Sequence, residues 1–462
     1  MPGIPVKVVA LRLENVRPQP RRVTATYYAQ WVLGPDTEQS TQYVVPEYEP
    51  AANALLARNP ANVDFGGRYA FLAGSQPPHG VTADRGEFIG RMGELRCPSA
   101  LTRIGLAGEV RAGVDPCAAL QLHLDLAPGE VREVFFLVGQ GGDRDEALAL
   151  AARYGDAAQV EAAWTGARAR WRDLLAAVTV TTPDPAMDLV VNQWLPYQAL
   201  ACRIWGRSAL HQSSGAYGFR DQLQDVMALV HAAPEITRDH LLAAARHQFE
   251  EGDVLHWWHP PFGRGVRTRC SDDLLWLPFV TAHYVATTGD ATVLNEPVTF
   301  LSAPPLEAEE AERFGLYAAT AEAATLYEHC RRALDKGLTA GAHGLPLIGA
   351  GDWNDGLNRV GVGGRGESIW LGWFLYATLT AFVPMAEIAG KFDEAAAWRK
   401  QAERVRVALE ADGWDGRWYR RAYFDDGQPL GAAGNREWWI ASVAQSWAVL
   451  SGAGIPERAA RA

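Results

Sequence analysis

The stretch Leu120-Gln-Leu-His-Leu-Asp-Leu126 places a leucine at every second position, and it decides how the first part of the chain folds. Successive side chains of a β-strand point to opposite faces, so this period predicts a strand with one buried face. Pro128-Gly129 predicts a turn into a second alternating run, Val131 to Val138, and the same period recurs from Val23 to Trp31. We therefore expect an antiparallel β-sandwich over residues 1–142, one that lacks its first strands.

The hydrophobic period changes after Gly141-Gly142, where Asp143 and Glu146 stand at the spacing of a helix capping box. Residues 143–180 predict a helical linker, and residues 181–462 predict a helical domain. Paired helices joined by loops rich in polar and aromatic residues are typical of an α/α toroid. The candidate helices span residues 186–204, 221–232, 236–250, 272–287, 317–335, 368–388, 392–411 and 437–450. Their number falls short of a closed ring, so we expect this domain to be incomplete at its C-terminus.

The length, net charge and cysteine content of the chain limit its domain number, its partners and its cellular compartment. The 462 residues exceed the roughly 250 to 300 at which one hydrophobic core stops growing, which favours two domains. A net charge of -11 argues against nucleic acid or an anionic membrane as a partner, because both are bound through clustered lysine and arginine. Five cysteines without paired spacing favour a reduced cytosolic compartment, and the N-terminus lacks the long apolar region of a signal peptide.

The segment from Ser368 to Ala386 imitates a membrane span, since it contains no charged residue and has about the length that a membrane requires. Its flanks are Glu367 and Glu387, no basic residue lies close by, and Pro384 interrupts it. A helix that is apolar on all sides is also typical of the centre of a large helical domain. We therefore expect a buried helix and no membrane span in this chain.

The loop Gly349-Ala-Gly-Asp-Trp-Asn-Asp-Gly356 contains two carboxylates, an indole and an amide among three glycines. This composition suits the cleavage of a glycosidic bond, in which an acid protonates the leaving oxygen. A partly desolvated carboxyl beside another carboxylate can remain protonated near neutral pH, and Asp355 is our candidate acid. The alternative is structural, because Asn354-Asp355-Gly356 is also a common turn sequence.

The segment from Gly215 to Asp225 places an arginine, carboxylates, amides and aromatic rings at one predicted helix start. Asp221 and Asp225 are candidate ligands for sugar hydroxyls, and Tyr217 offers a ring face. Arg220 can hold an anion through two parallel hydrogen bonds. The alternative is a capped helix with an internal Arg–Asp pair.

The run His256-Trp-Trp-His-Pro-Pro261 suggests either a metal site or a sugar platform. Its His-x-x-His spacing lacks the glutamate and the third ligand of a metalloprotease site, so we assign no metal. Trp257 or Trp258 as a ring face under a sugar is the preferred interpretation, and we select Trp258.

Acidic residues also stand directly before two predicted helices, Asp272-Asp273 before one and Glu367 before the other. Each can contact a substrate hydroxyl, and each can instead stabilise the N-terminus of its helix. Both interpretations stay open, with Asp273 and Glu367 as candidate substrate ligands. The sequence contains neither a phosphate-binding loop nor a dinucleotide fingerprint, and no serine-hydrolase elbow.

Four segments together resemble glycoside hydrolase family 94, the disaccharide and oligosaccharide phosphorylases: residues 214–225, 271–276, 349–358 and 366–370. The likeness runs over nearly the whole chain. It is closest to the C-terminal phosphorylase-like domain of cyclic β-1,2-glucan synthases and to 1,2-β-oligoglucan phosphorylases, within a family that includes cellobiose phosphorylases. The resemblance implies an N-terminal β-sandwich, a helical linker and an (α/α)6 barrel. The expected fold class is thus multidomain β plus α.

The resemblance also implies inverting phosphorolysis, in which inorganic phosphate attacks the anomeric carbon of a β-linked glucose and α-glucose 1-phosphate is released. Asp355 matches the family's acid. Arg207 and Arg220 match positions near the phosphate, and Asp225 and Trp353 match positions around the bound glucose. An inverting hydrolase needs a second carboxylate as a base for water, whereas phosphate arrives as an anion and needs none.

Two departures from the family pattern concern the phosphate site. The family's remaining phosphate ligands, a histidine and a Thr-Gly pair, belong to barrel segments beyond the end of this chain. Trp438, Trp439 and Ala441 stand where the family usually has cysteine, lysine and aspartate.

We therefore expect a phosphorylase that acts on a β-glucan or gluco-oligosaccharide, with phosphate as co-substrate and no cofactor. The β-1,2 linkage rests on the resemblance alone. The alternatives are an inverting β-glucoside hydrolase and a noncatalytic module that binds glucan or senses its chain length. The expected location is the cytoplasm, which includes the cytoplasmic part of a larger membrane-bound synthase. A homodimer is one expected assembly.

Overall fold

The computed structural model describes residues 4–206, 215–307 and 309–461. The chain divides into two compact units, Met1–Asp173 and Leu174–Ala462. This division falls inside a helix of the region for which a separate linker is predicted, and the three-part division stays a prediction.

The first unit is built from two antiparallel sheets. Its strands are β1 (Val6–Glu14), β2 (Arg21–Gln30), β3 (Val45–Glu49), β4 (Ala54–Arg58), β5 (Tyr69–Gly74), β6 (Gly80–Asp84), β7 (Pro116–Leu126) and β8 (Val131–Gly141). Its helices are α1 (Thr37–Ser40), α2 (Arg85–Ile89), α3 (Arg144–Tyr154) and most of α4 (Ala157–Ala176). One sheet has the order β1-β8-β5-β4-β3, and the other has the order β2-β7-β6.

The larger sheet of this unit is covered on both faces. Leu122 of β7, which is fully buried, belongs to the core between the two sheets, together with Phe136 of β8. Phe135, which precedes Phe136 in β8, points to the opposite face of the sheet and packs in a second core with Ala151 and Tyr154 of α3. The alternation in the sequence therefore marks the strands correctly, and the predicted N-terminal sandwich is confirmed.

The helix that follows the sandwich begins with the predicted capping box. The Asp143 side chain accepts a hydrogen bond of 2.8 Å from the backbone N–H of Glu146, and the Glu146 carboxylate accepts one of 2.5 Å from Gly142. Two backbone donors at the start of α3 are thereby satisfied.

The second unit is mainly helical, with short strands between the helices. Its helices are α5 (Pro185–Leu189), α6 (Leu195–Gln198), α7 (Phe219–Met227), α8 (Pro234–Ala245), α9 (Asp273–Thr288), α10 (Leu326–Gly337), α11 (Ile369–Ile388), α12 (Phe392–Ala408), α13 (Ser442–Leu450) and α14 (Pro456–Ala459). Wider π-helical turns, Val190–Trp194 and Ala199–Ile204, join α5 to α6 and continue α6. Its strands are β9 (Tyr217–Gly218), β10 (Leu255–His259), β11 (Arg264–Thr268), β12 (Pro297–Ser302), β13 (Glu312–Gly315), β14 (Ala318–Thr325), β15 (Glu367–Ser368), β16 (Ala422–Tyr423) and β17 (Pro429–Leu430).

The helix predicted over 317–335 is half wrong. Residues 318–325 form β14, which pairs antiparallel with β12, and only the remainder forms α10. Alanine-rich sequence favours a helix locally, but the β-sheet pairing with β12 decides the structure of this segment. The other candidate helices are present with boundary shifts, so the predicted helical second domain is confirmed.

The apolar helix α11 is the element that resembles a membrane span. By length and composition it could cross a membrane, yet 72% of its most apolar 18-residue segment is buried within the structure. It packs against α9, α12 and α13, and Trp370 and Trp373 are almost fully buried. Among the described residues, this is the one helix that passes the test of length and hydropathy.

Replacing Leu122 by alanine tests the sandwich core. The side chain is fully buried between two sheets, so we expect Leu122→Ala to lower the free energy of unfolding by about 2 to 5 kcal/mol. Leu95, which is 60% exposed, is the matched control, and Leu95→Ala should change it by less than about 0.5 kcal/mol. Urea denaturation measures both, and equal effects would contradict the assigned core.

Candidate functional site

The loop that carries Asp355 is tied to the segment before α9. The N–H of Ala350 donates to the carbonyl of Arg269 at 3.0 Å, and the N–H of Ser271 donates to the carbonyl of Gly351 at 3.0 Å. Gly349 has φ +62°, and a Cβ there would lie 2.2 Å from the Arg269 carbonyl oxygen. Glycine is required at this close approach because a side chain would push the two segments apart.

Asp352 is a buried structural carboxylate. It accepts hydrogen bonds from Arg421 at 2.5 Å, from the Ser368 hydroxyl at 2.7 Å and from the backbone of Asn354 at 3.0 Å. Asp352, Arg421 and Ser368 have no exposed surface. Nothing in the sequence indicated Arg421, which follows Asp352 by 69 positions and reaches it only through the fold.

The prediction that Asp355 is partly desolvated beside another carboxylate is wrong. Its side chain is 68% exposed, so it is not desolvated, and the carboxylate of Asp352 is engaged by Arg421. The groups that face Asp355 are cationic or can become so: Arg220 donates to its Oδ1, and His256 Nε2 lies 4.0 Å from the same oxygen.

Arg220 connects three segments of the second unit. Its Nη1 donates to Asp272 Oδ1 at 3.1 Å and to the main-chain carbonyl of Asp352 at 2.9 Å, and its Nη2 donates to Asp355. Burial lowers the pKa of Arg220, but the carboxylates around it raise that pKa by more. Arg220 therefore stays charged, and its ion pairs lie across the fold rather than within α7, as the alternative interpretation required.

The adjacent carboxylates Asp272 and Asp273 are both buried at the start of α9. Asp272 accepts from the indole of Trp276 at 3.0 Å, and Asp273 Oδ2 lies 2.7 Å from His256 Nδ1. Burial and the charge of Asp273 raise the pKa of Asp272 against the opposing effect of Arg220. Asp272 stands at the N-cap position without a side-chain capping bond, so helix capping by its side chain is excluded.

His256 is held in one orientation by its carboxylate partner. The attraction of Asp273 outweighs the effect of burial and raises the pKa of His256 to about 11. With Nδ1 bonded to Asp273, the ring directs Nε2 towards Asp355. The ring thus places a second cation beside the candidate acid.

The predicted ligands around α7 lie at both of its ends: Tyr217 and Asp221 at its start and Asp225 in its last turn. Tyr217, in β9, donates its hydroxyl to the carbonyl of Ile204 at 2.8 Å. Asp225 accepts from Arg203 at 2.8 Å, and Asp221 is half-buried in the first turn. Trp353, the neighbour of Asp352 in the loop, is 44% exposed. Arg207 lies outside the described residues.

Trp258 is a core residue and not a sugar platform. Its side chain is 3% exposed, and the ring of His247 stacks on it at a centroid distance of 3.9 Å. Trp257 is partly exposed and packs at 5.5 Å from Phe314. The sequence showed two adjacent tryptophans but not which of them the β10 pairing would bury.

Glu367 is also engaged in a structural contact. It is 1% exposed and accepts backbone hydrogen bonds from His343 at 3.0 Å and Leu345 at 3.1 Å. Its second oxygen lies 2.5 Å from His343 Nδ1. These contacts hold the 343–345 turn, and they correct the expectation that Glu367 offers its oxygens to a substrate hydroxyl.

The pairing of Asp352 with Arg421 can be tested by a double-mutant cycle. Arg421→Leu leaves a buried carboxylate without its cation, and we expect a loss of about 3 to 5 kcal/mol in the free energy of unfolding. The double variant Arg421→Leu/Asp352→Leu should lose less than the single variant because it removes both charges. Strictly additive losses in urea denaturation would contradict the pairing.

The stack of His247 on Trp258 predicts a pH effect. Burial lowers the pKa of His247 from about 6.5 to about 4, so between these values the unfolded chain binds the proton and the folded chain does not. This contribution to stability is complete above pH 6.5 and is lost as the pH falls towards 4. His247→Phe keeps a stacked ring without the titration. The unfolding free energy of the wild type should therefore fall more than that of the variant between pH 7 and 5, and parallel pH profiles would contradict this.

The sequence of this chain is similar to that of a known protein family. The sequence matches the model of the glycosyl hydrolase 94 catalytic domain over residues 170–462 and that of the glycosyl hydrolase 94 supersandwich domain over residues 1–157. Cyclic beta-(1,2)-glucan synthase NdvB of Rhizobium meliloti (strain 1021) is 44% identical over 99% of this chain and 16% of its own length.

Two phosphorylases are similar over a larger share of their own length. Solabiose phosphorylase of Paenibacillus borealis is 28% identical over 98% of this chain and 56% of its length. N,N'-diacetylchitobiose phosphorylase of Vibrio furnissii is 28% identical over 100% of this chain and 59% of its length. The chain thus spans about one sixth of the synthase and just over half of each phosphorylase. Because the two family models together cover nearly all of its residues, the chain belongs to glycosyl hydrolase family 94.

Proposed function

We propose that this chain catalyses the inverting phosphorolysis of β-linked gluco-oligosaccharides, giving α-glucose 1-phosphate and a shortened chain. The observation that carries the proposal is the contrast between Asp355 and its neighbours. Asp355 is exposed and faces Arg220 and His256, whereas Asp272 and Asp273 are buried and bonded. A site with one accessible acid beside two cations suits an anionic nucleophile better than water activated by a carboxylate base.

In the proposed reaction, protonated Asp355 gives its proton to the glycosidic oxygen as the bond from that oxygen to the anomeric carbon breaks. A phosphate oxygen forms the new bond to that carbon from the opposite face, which converts the β configuration to α. The proton lost by the attacking phosphate restores the proton of Asp355, so atoms and charges balance. No second protein base is required.

Arg220 has two tasks in this proposal. In the structure its Nη2 donates to Asp355, and its Nη1 is held by Asp272 and the Asp352 carbonyl. An arriving phosphate competes with Asp355 for the Nη2 donors, because charge-assisted bonds to phosphate are strong. Phosphate binding would thereby release Asp355 to carry its proton. Arg207 stays a proposed second phosphate ligand.

The proposed sugar contacts come from three segments: Tyr217, Asp221 and Asp225 in and beside α7, Asp273 at the start of α9, and the exposed indole of Trp353 in the loop. The Oδ1 atom of Asp273 is buried, and no described residue forms a hydrogen bond with it. A sugar hydroxyl is a suitable donor for this atom. We propose β-1,2-linked glucan as the substrate from the similarity to the synthase, and the cytoplasm as the location.

Two other functions make different predictions for the products. An inverting β-glucoside hydrolase would release glucose without phosphate. A noncatalytic module that binds glucan or senses its chain length would bind without turnover. Incubation with β-1,2-gluco-oligosaccharides, with and without inorganic phosphate, separates all three.

Asp355→Asn tests the acid. The amide keeps the size of the side chain but has no acidic proton, so we expect phosphorolysis to fall by at least about 100-fold while glucan binding in calorimetry stays within about twofold. Asp393→Asn is the matched control, since Asp393 is exposed in the first turn of α12, and its activity should equal that of the wild type. Full turnover in Asp355→Asn would show that Asp355 is not the general acid.

A further inference from the structure

Two side chains of different chemistry, His256 and Cys270, lie beside the candidate acid Asp355. The ligand atoms of His256, Cys270 and Asp355 all lie within 4.8 Å of one another. They come from β10, from the segment between β11 and α9, and from the glycine-rich loop. We propose that these three side chains bind a thiophilic divalent cation such as Zn²⁺, and that the bound cation inhibits the enzyme by occupying Asp355.

The spacing of the three groups is close to that of a metal site. Bonds of about 2.0 to 2.3 Å from a tetrahedral zinc ion place its ligand atoms about 3.3 to 3.6 Å apart. His256 Nε2 and Asp355 Oδ1 are 4.0 Å apart. Each ligand atom would have to move by about an ångström or less. Asp355 can make this shift because its side chain is largely exposed.

The histidine is already supported as a metal ligand would be. Metal-binding histidines almost always donate their second ring nitrogen to a carboxylate or carbonyl. Here Nδ1 of His256 lies 2.7 Å from the carboxylate of buried Asp273, and a cation bound to the ring would replace the hydrogen bond between His256 and Cys270. The sequence analysis assigned no metal to the His-x-x-His pattern, and the groups that the fold brings near His256 are Cys270 and Asp355.

A bound metal ion would take the place of the positive charge that His256 carries beside Asp355. Asp272, Asp273 and Asp355 contribute three carboxylates, and the cation paired with two of them is Arg220. Arg220 and a metal can share Asp355, because a carboxylate has two oxygens with several acceptor directions. Binding would displace the thiol proton of Cys270 and the Nε2 proton of His256 to solvent.

The ligand types define the class of metal. A thiolate and an imidazole select zinc, cobalt(II) and cadmium, while magnesium and calcium prefer sites made of oxygen alone. Three protein ligands leave a fourth position for water. Asp355 cannot give a proton while it coordinates the cation, so the inhibition, unlike the binding itself, rests on the proposed function.

Cobalt(II) titration of the wild-type protein tests the site directly. We expect one equivalent to bind and to produce the near-ultraviolet charge-transfer absorption of a cobalt–thiolate bond, and Zn²⁺ to displace it. Cys270→Ser should lose this absorption and bind Zn²⁺ at least about tenfold more weakly. Cys202→Ser is the matched control, because Cys202 is an exposed free thiol of the same unit, and it should behave as the wild type.

Two results would contradict the proposed metal site. Thiolate absorption that persists in Cys270→Ser, or equal Zn²⁺ affinity in that variant and the wild type, would overturn the site. In the activity arm, Zn²⁺ at its binding concentration should inhibit wild-type phosphorolysis, and Cys270→Ser should need at least about tenfold more. A protein that binds cobalt through Cys270 but never phosphorolyses glucan would refute the proposed function and confirm the site.

Discussion

The buried guanidinium of Arg220 is the interaction on which the site depends. It joins the first turn of α7, the start of α9 and the loop that carries the candidate acid. A buried charge is tolerated only where partners surround it, and removal of one partner leaves the other uncompensated. Arg220 therefore holds α7 to the other two segments, each of which supplies a carboxylate that helps to neutralise it.

The glycine-rich loop shows how one short sequence gives two carboxylates different roles. Asp352 is fully buried and bonded to Arg421 and Ser368, so it fixes the loop. Asp355 projects from the same loop into solvent beside Arg220. The rigid residue and the exposed residue are complementary, because a catalytic group must be positioned by neighbours that do not react.

Much of the fold could be predicted from hydrophobic periodicity, since the sandwich strands and most helices bury one side of a regular pattern. The strand at 318–325 could not, because pairing with a distant strand overrode the helical preference of its alanines. For the candidate site, local motifs singled out Asp355 and Arg220, which the structure places in contact. His247 buries Trp258, and the 343–345 turn buries Glu367. No local sequence pattern predicts these contacts.

The central claim is that phosphate, and not water, is the nucleophile, with inversion at the anomeric carbon. Proton NMR of the first product formed from β-1,2-gluco-oligosaccharides tests this most directly, because it identifies the product and its anomeric configuration before any equilibration. The account predicts α-glucose 1-phosphate, formed only when inorganic phosphate is present. Free glucose formed without phosphate, or β-glucose 1-phosphate, would contradict it.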